Sequence, residues 1–303
     1  MLRWRLLSSF VIIALMLSLV ALDHFMVGTG IAGSWLAPVF VITTILATEE
    51  VLSLLRNQNH RPIGWTTYVG SVALALAGCE VLIKELWFKF AGEPNYVSWS
   101  GWPMLAVALG VILAFGGEMA RFKKAGEGSI VNAALSIFAM MYVGGLMLFL
   151  AWQRLEHGTF AFLSIPIVVK SADAGAYFVG RTTGRNKMTP LLSPGKTWEG
   201  AIGGLFFGCL ASWLCFAVIR PQLFPADISP AGQPPLVAIL LYGLLLTLAG
   251  MHGDLAESLL KRDMQRKDSS TWLPGLGGIL DVIDSMLIAA PVAYLFWNTG
   301  WLG

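Results

Sequence analysis

Charge is what this sequence has least of. Only 13% of its 303 residues are Asp, Glu, Lys or Arg, while 56% are hydrophobic. A soluble domain carries roughly a quarter charged residues, so a water-soluble globule is excluded, and the mean hydropathy of +0.70 agrees. Cysteine is scarce as well. Cys79, Cys209 and Cys215 all fall in apolar stretches without ligand spacing, which excludes a disulfide framework and a thiolate metal site. The histidines His24, His60, His157 and His252 are scattered, so no Ser-His-Asp arrangement is credible. No long polar stretch separates the apolar runs, so no separate soluble domain is expected, and no internal repeat is visible.

What remains is an all-α, polytopic transmembrane bundle. Apolar runs that suit spans of ~20 residues lie near 8–22, 33–55, 65–86, 101–119, 130–151, 159–179, 200–219, 235–253 and 279–297, about nine in all. The first resembles a signal peptide in its charged start. Ala21-Leu22-Asp23 is a poor cleavage site, however, and further spans follow, so it reads as an uncleaved helix. With the N-terminus in the cytoplasm, fifteen basic residues fall inside: Arg3, Arg5, Arg56, Arg61, Arg121, Lys123, Lys124, Arg181, Arg185, Lys187, Lys196, Lys261, Arg262, Arg266 and Lys267. Four fall outside (Lys84, Lys89, Arg154 and Arg220), and Lys170 lies within a span. That asymmetry is the positive-inside pattern, and it sets the expected orientation.

The chain divides by content. Residues 1–160 are plain hydrophobic helices whose acids, Glu49, Glu50, Glu80 and Glu118, lie near predicted helix ends and read as snorkelling or interhelically bonded groups. Residues 161–303 carry the chemistry, crowded into 170–181, 192–204 and 253–285, all on the expected cytoplasmic side. Gly200, Gly204 and Gly208, spaced by four, read as a close helix-packing face.

In 253–285, Asp254 ends an apolar run, with Glu257 and Ser258 about one turn on, and Asp281 and Asp284 share a face of a helix starting near Gly278. Acids at such positions are costly and functional by default. Two such faces meeting would gather the hard oxygen ligands that Mg²⁺ takes; the plainer reading is pairing with nearby arginines. Lys261, Arg262, Arg266 and Lys267, with Lys196 and Arg181, supply enough positive charge for several phosphates. On charge alone they would be an ordinary inside loop near anionic lipid. Pro274-Gly275-Leu276-Gly277-Gly278 precedes the Asp281 helix, a turn that can aim N–H groups at an anion. Ser193-Pro194-Gly195-Lys196-Thr197 invites a Walker A reading, which fails because Pro190 stands where glycine is needed and no preceding strand is expected. Asp173, with Lys170 one turn before it, is either half of an ion pair or a nucleotide or metal contact.

Together these segments resemble the phosphatidate cytidylyltransferase (CDP-diacylglycerol synthase) family. Its S-x-x-K-R-x4-K-D signature is met by Ser258, Lys261, Arg262, Lys267 and Asp268, and P-G-H-G-G-x-x-D-R-x-D by Pro274, Gly275, Gly277, Gly278, Asp281 and Asp284. S-D-x-x-A-Y-x-x-G-R is similar to Ala172-Asp173 through Ala176, Tyr177, Gly180 and Arg181. Ser193, Pro194, Lys196, Thr197, Glu199 and Gly200 match S-P-x-K-T-x-E-G. The likeness covers about 165–297. It departs at Leu276 and Val282, where the signature has His and Arg.

The resemblance implies transfer of CMP from CTP to phosphatidate, giving CDP-diacylglycerol and pyrophosphate, at a bacterial inner-membrane site facing the cytoplasm. It implies Mg²⁺, alone or with a second cation, held by Asp254, Asp281 and Asp284. Lys261 and Arg262 would act in catalysis, and Lys196, Lys267, Ser258, Asp173, Arg181, Asp268, Gly277 and Gly278 in substrate binding. The implied partners are CTP, phosphatidate or a related lipid phosphate, and membrane lipids, without nucleic acid; a homodimer is compatible. Two other readings stand beside it. One is a CTP-dependent transferase or kinase acting on another lipid, motivated by Leu276 and Val282. The other is an ion-coupled transporter using the buried acids, which inverted repeats would favour.

Overall fold

The computed structural model describes residues 2–25, 33–58, 60–91, 101–123, 128–225, 233–273 and 275–302. Pro274 of the glycine turn and Lys124 of the inside charges lie outside the described residues. The chain is almost entirely helical: α1 (Leu2–Phe25), α2 (Ala37–Asn57), α3 (Gly64–Gly78), α4 (Glu80–Ala91), α5 (Trp102–Arg121), α6 (Ser129–Ala139), α7 (Leu146–Thr183), α8 (Trp198–Leu214), α9 (Arg220–Leu223), α10 (Leu236–Asp263) and α11 (Leu280–Asn298). Wider π-helical turns, Met140–Gly145 and Cys215–Ile219, join α6 to α7 and α8 to α9. Two short strands, β1 (Lys187–Thr189) and β2 (Ser193–Thr197), form an antiparallel hairpin.

Among the described residues, seven helical stretches are long and apolar enough to cross a membrane. The protein is an all-α polytopic membrane protein. The expected spans 130–151 and 159–179 fall in one 55-residue helical run, Ser129–Thr183. That run is kinked at Gly158, where φ is 88° and ψ is −178°, a conformation costly for any residue with a Cβ. The expected span 65–86 is divided at Cys79 into pieces of 15 and 12 residues.

The chain forms two compact units. The first comprises Met1–Leu155 and Asp263–Val282, the second Glu156–Arg262 and Ile283–Gly303. In the first, α3 packs against α2, α5 and the Met140–Gly145 turn. Small residues permit the close approach. A Cβ on Gly78 would stand 2.7 Å from the Leu148 carbonyl oxygen, and one on Gly144 would stand 2.7 Å from Ser71 Cα. Leu74, Ala77, Ala106, Ala114, Met140 and Leu148 fill the resulting core.

Two acids of the N-terminal region pair mainly with arginines of their own helices, and Glu49 also bonds across to α3. Glu49 takes Arg56 at 3.2 Å and the Tyr68 hydroxyl, and Glu118 takes Arg121 Nε at 2.9 Å. Arg154, expected outside, is buried against Asp23, whose Oδ1 also accepts the Trp35 N–H at 3.1 Å.

In the second unit, α8 presents glycines to its neighbours. Cβ atoms on Gly200 and Gly204 would meet the Ala176 and Ala172 carbonyl oxygens of α7 at 2.8 and 3.1 Å, and one on Gly208 would run into Thr247 of α10. Ser212 Oγ donates to the Ile239 carbonyl at 2.7 Å, and Ser164 and Tyr242 hydroxyls meet at 2.6 Å. Arg220, also expected outside, is buried. Its guanidinium lies 5.5–5.7 Å from the ring centres of Phe160, Phe216 and Trp297 and donates to the Leu302 carbonyl at 2.7 Å.

Candidate cation and phosphate site

The chemistry-bearing residues fall into two sets, one in each unit. In the second unit, Asp254 and Glu257 occupy positions i and i+3 of α10, hence one face, and Asp284 projects from α11. One carboxylate oxygen from each lies within 4.8 Å of the others. Gly253 makes the approach possible: a Cβ there would sit 2.6 Å from the Asp284 carbonyl oxygen and 2.9 Å from Ser285 Cα. Helix α10 therefore needs glycine beside its acid to lie against α11.

Glu257 and Asp284 are buried, and Asp254 is partly open. Three carboxylates so close repel unless cations or protons intervene. Lysines supply the first layer of compensation. Lys196 Nζ lies 2.8 Å from Asp254 Oδ2, and Lys261 Nζ donates to Glu257 Oε2 at 2.7 Å. Lys170, on α7, donates to Ser285 Oγ at 2.8 Å and reaches Asp173 Oδ2 at 3.4 Å. An all-oxygen donor set, part buried and part open, is what a hard divalent cation such as Mg²⁺ accepts, so these residues fit one.

Lys196 reaches Asp254 from the β-hairpin, which corrects the expectation that no strand accompanies the Ser193–Thr197 segment. That segment is itself β2, and β1 precedes it. The polar, glycine-containing stretch hid the strands because short hairpins draw their stability from pairing rather than from an apolar pattern. The Walker A reading still fails, since glycine and lysine sit on the strand and not in a loop. Thr197 ends the hairpin and caps α8, its Oγ1 accepting the Gly200 N–H at 3.1 Å. Glu199 in the first turn accepts from Asn186 Nδ2 at 2.8 Å and closes the hairpin base.

The remaining sequence-predicted residues of this unit are more open. Arg262 is exposed at the end of α10, its Nε 3.4 Å from the Leu192 carbonyl. Arg181 is exposed and donates to the Tyr177 hydroxyl at 2.7 Å. Ser258 is half-buried beside Glu257.

The second set belongs to the first unit. Asp281, which the resemblance names as a ligand with Asp254 and Asp284, lies on this loop. Its Oδ2 accepts the Ser269 N–H at 3.1 Å, the Ser269 hydroxyl at 2.6 Å and the Gly278 N–H at 2.7 Å. Glu50 completes the loop. It is buried on α2, shares the Ser269 hydroxyl proton with Asp281 at 2.9 Å, and accepts from the Ser270 hydroxyl at 2.8 Å and from the Ile279 and Leu280 N–H groups at 2.9 and 2.8 Å.

The glycine turn does aim its N–H groups at anions, and in this structure those anions are the protein's own carboxylates. Gly277, with φ of 92°, and Gly278 leave room for them, since Cβ atoms there would strike Asp281 and Glu50. Lys267 and Asp268 are exposed on the segment after α10. Leu276 donates its N–H to the Leu273 carbonyl at 3.0 Å, and Val282 to Ile279 at 3.0 Å.

The ligand set implied by the resemblance does not name Glu257, although the sequence puts it on the Asp254 face, and by sequence Glu50 is an ordinary helix-end acid. The D-x-x-E spacing after Gly253 was the available signal for Glu257. Nothing local marked Glu50, because its partners lie more than two hundred positions away in sequence.

A membrane-embedded helical protein with a carboxylate–lysine cluster is thus in hand. The chain belongs to the cytidylyltransferase family, which it matches over residues 3–299. It is 31% identical over 261 residues to a phosphatidate cytidylyltransferase of Chlamydia pneumoniae, covering 83% of this chain and 78% of that one. It is 30% identical over 257 residues to the uncharacterized protein YnbB of Escherichia coli, covering 85% and 77%. The phosphatidate cytidylyltransferase of Haemophilus influenzae is 38% identical over 141 residues, 46% of each chain. With relatives of that kind, the chain aligns over only about half their length.

Proposed function

We propose that this protein transfers CMP from CTP to phosphatidate, forming CDP-diacylglycerol and pyrophosphate. The observation that carries the reading is the Asp254–Glu257–Asp284 cluster with Lys196, Lys261 and Lys170 bound at its edge. The family and the names of its members support it. A divalent cation held by Asp254, Glu257 and Asp284 would supply neutralisation of phosphate charge.

A phosphate oxygen of the lipid attacks the α-phosphorus of CTP in line. A new P–O–P bond forms, the bond between the α-phosphorus and its bridging oxygen breaks, and pyrophosphate leaves with the electron pair. The attacking group is already an anion near neutral pH, since the second pKa of a phosphate monoester is about 6, so no side chain need remove a proton. The chain's work is to bind, orient and offset charge. Lys196 and Lys261 are assigned to the nucleotide phosphates, Arg262, Arg181 and Lys267 to the same anion, Ser258 to phosphate or cation, and Asp173 to support of Lys170. Asp281 is assigned as a cation ligand on the family resemblance, and Asp268, Gly277 and Gly278 as the loop that carries it. The site is assigned to the cytoplasmic face of a bacterial inner membrane.

The test is turnover by purified protein in nanodiscs with CTP labelled at the α or the γ phosphate. A lipid phosphate panel is supplied, with and without Mg²⁺. Label from the α position should enter lipid, and label from the γ position should leave as pyrophosphate. Label passing from the γ position into lipid would mark a kinase and overturn the reading. Asp254→Asn and Asp284→Asn should each lower turnover about 10²-fold or more, and Asp281→Asn in the same assay decides that residue's assignment.

A further inference from the structure

We infer that Lys170 takes the phosphate of the lipid substrate and serves it separately from the cations that hold the nucleotide. The inference rests on the cytidylyl-transfer reading above and assigns to one side chain the part of the site that distinguishes the two substrates.

Lys170 stands apart from the other basic residues in where it sits. Thirteen positions separate it from Thr183 at the end of α7, about 20 Å of helix at ~1.5 Å per residue. Lys196 starts from the hairpin after that end and brings its ammonium to Asp254, while Lys261, in the last turn of α10, pairs with Glu257. Lys170 instead stands within α7, preceded by Ile165, Val168 and Val169, all buried, and its ammonium bonds to Ser285 and Asp173 rather than to a carboxylate of the cluster. A triphosphate arrives from water. A phosphate on diacylglycerol stays tethered within the bilayer and reaches a lysine inside α7 from the side; about two turns further along that helix, Tyr177 and Phe178 leave large apolar surfaces exposed.

The ammonium group is also held in a manner suited to exchange. Ser285, fully buried, fixes it from behind at 2.8 Å. Ser285 directly follows Asp284 and packs with it on Gly253, so the ammonium is anchored beside the carboxylate cluster. Its other partner, Asp173, is a long 3.4 Å away, and the two side chains are 42% and 38% exposed. An ammonium has three donors. An arriving phosphate can therefore displace Asp173 or use the third N–H while Ser285 keeps the head in place. A lysine set within such a helix needs an anion. Asp173 supplies it in the absence of lipid, and the lipid phosphate supplies it in the complex.

The experiment compares the whole protein with Lys170→Met and Lys170→Arg in mixed micelles, varying dioctanoyl-phosphatidate and CTP independently. Lys170→Met should raise KM for phosphatidate at least about tenfold, the equivalent of about 1.4 kcal/mol, with KM for CTP changed less than about twofold; Lys170→Arg should restore most of the loss. A second arm measures thermal protection of the detergent-solubilised protein. Wild type and Lys170→Met should both be protected by CTP with Mg²⁺, and only wild type by phosphatidate without CTP. Parallel rises in both KM values, an unmoved phosphatidate KM, or phosphatidate protection of Lys170→Met would overturn the inference. If wild type forms no CDP-diacylglycerol, the cytidylyl-transfer reading fails by itself, and the protection arm still decides whether Lys170 binds a lipid phosphate.

Discussion

Removing the Glu50 carboxylate should release the loop from Ser269 to Leu280. In Glu50→Ala, Ser269 keeps a partner, because its hydroxyl also donates to Asp281 at 2.6 Å. Ser270 is half-buried and can turn to water. The Ile279 and Leu280 N–H groups, at 2.9 and 2.8 Å from Glu50, lose their acceptor at the first turn of α11, where no intrahelical carbonyl replaces it. An orphaned buried donor costs about 1–3 kcal/mol. Two of them give about 2–6, partly offset because a desolvated carboxylate is removed with them. A net local loss of about 2–4 kcal/mol follows. Amide exchange of the loop, read by mass spectrometry on a peptide spanning 268–282, should then quicken by about 30- to 1000-fold, one decade per ~1.4 kcal/mol. Glu50→Gln should fall between, since its amide oxygen replaces one acceptor and its NH₂ opposes the other donors. Unchanged exchange at Ile279 and Leu280 in Glu50→Ala would refute the argument that this acid holds the loop.

Two further changes test the packing of the second unit. Gly253→Ala places a Cβ 2.6 Å from a backbone oxygen of α11, which cannot swing aside. The expected cost is about 1–3 kcal/mol, seen as a lower Tm, with Mn²⁺ affinity at the acid cluster reduced as Asp254 and Asp284 move apart; undiminished Mn²⁺ binding would count against the cluster. Arg220→Lys should destabilise by about 2–4 kcal/mol, because a compact ammonium cannot stack on Phe160, Phe216 and Trp297 while reaching the Leu302 carbonyl. An unchanged Tm for that variant would show the guanidinium cage to be dispensable.

Hydropathy and length are properties of contiguous residues, and they were enough to establish an all-α polytopic membrane protein and to locate its polar chemistry in 170–181, 192–204 and 253–285. Helical periodicity likewise put Asp254 and Glu257 on one face, and the motif spacing pointed to the cytidylyltransferase family. Which faces meet is a different kind of fact. Asp281 and Asp284 lie three positions apart on α11, yet Asp284 joins Asp254 and Glu257 while Asp281 bonds to Ser269 and Gly278. Glu50 and the turn it binds share no local pattern at all. Those pairings depend on how closely two backbones approach, set at Gly253 by the absence of a side chain and at Gly277 and Gly278 by room for a carboxylate. Sequence determined that acids, lysines and glycines would be gathered along these helices; only the packing of the helices decided which acid faces which.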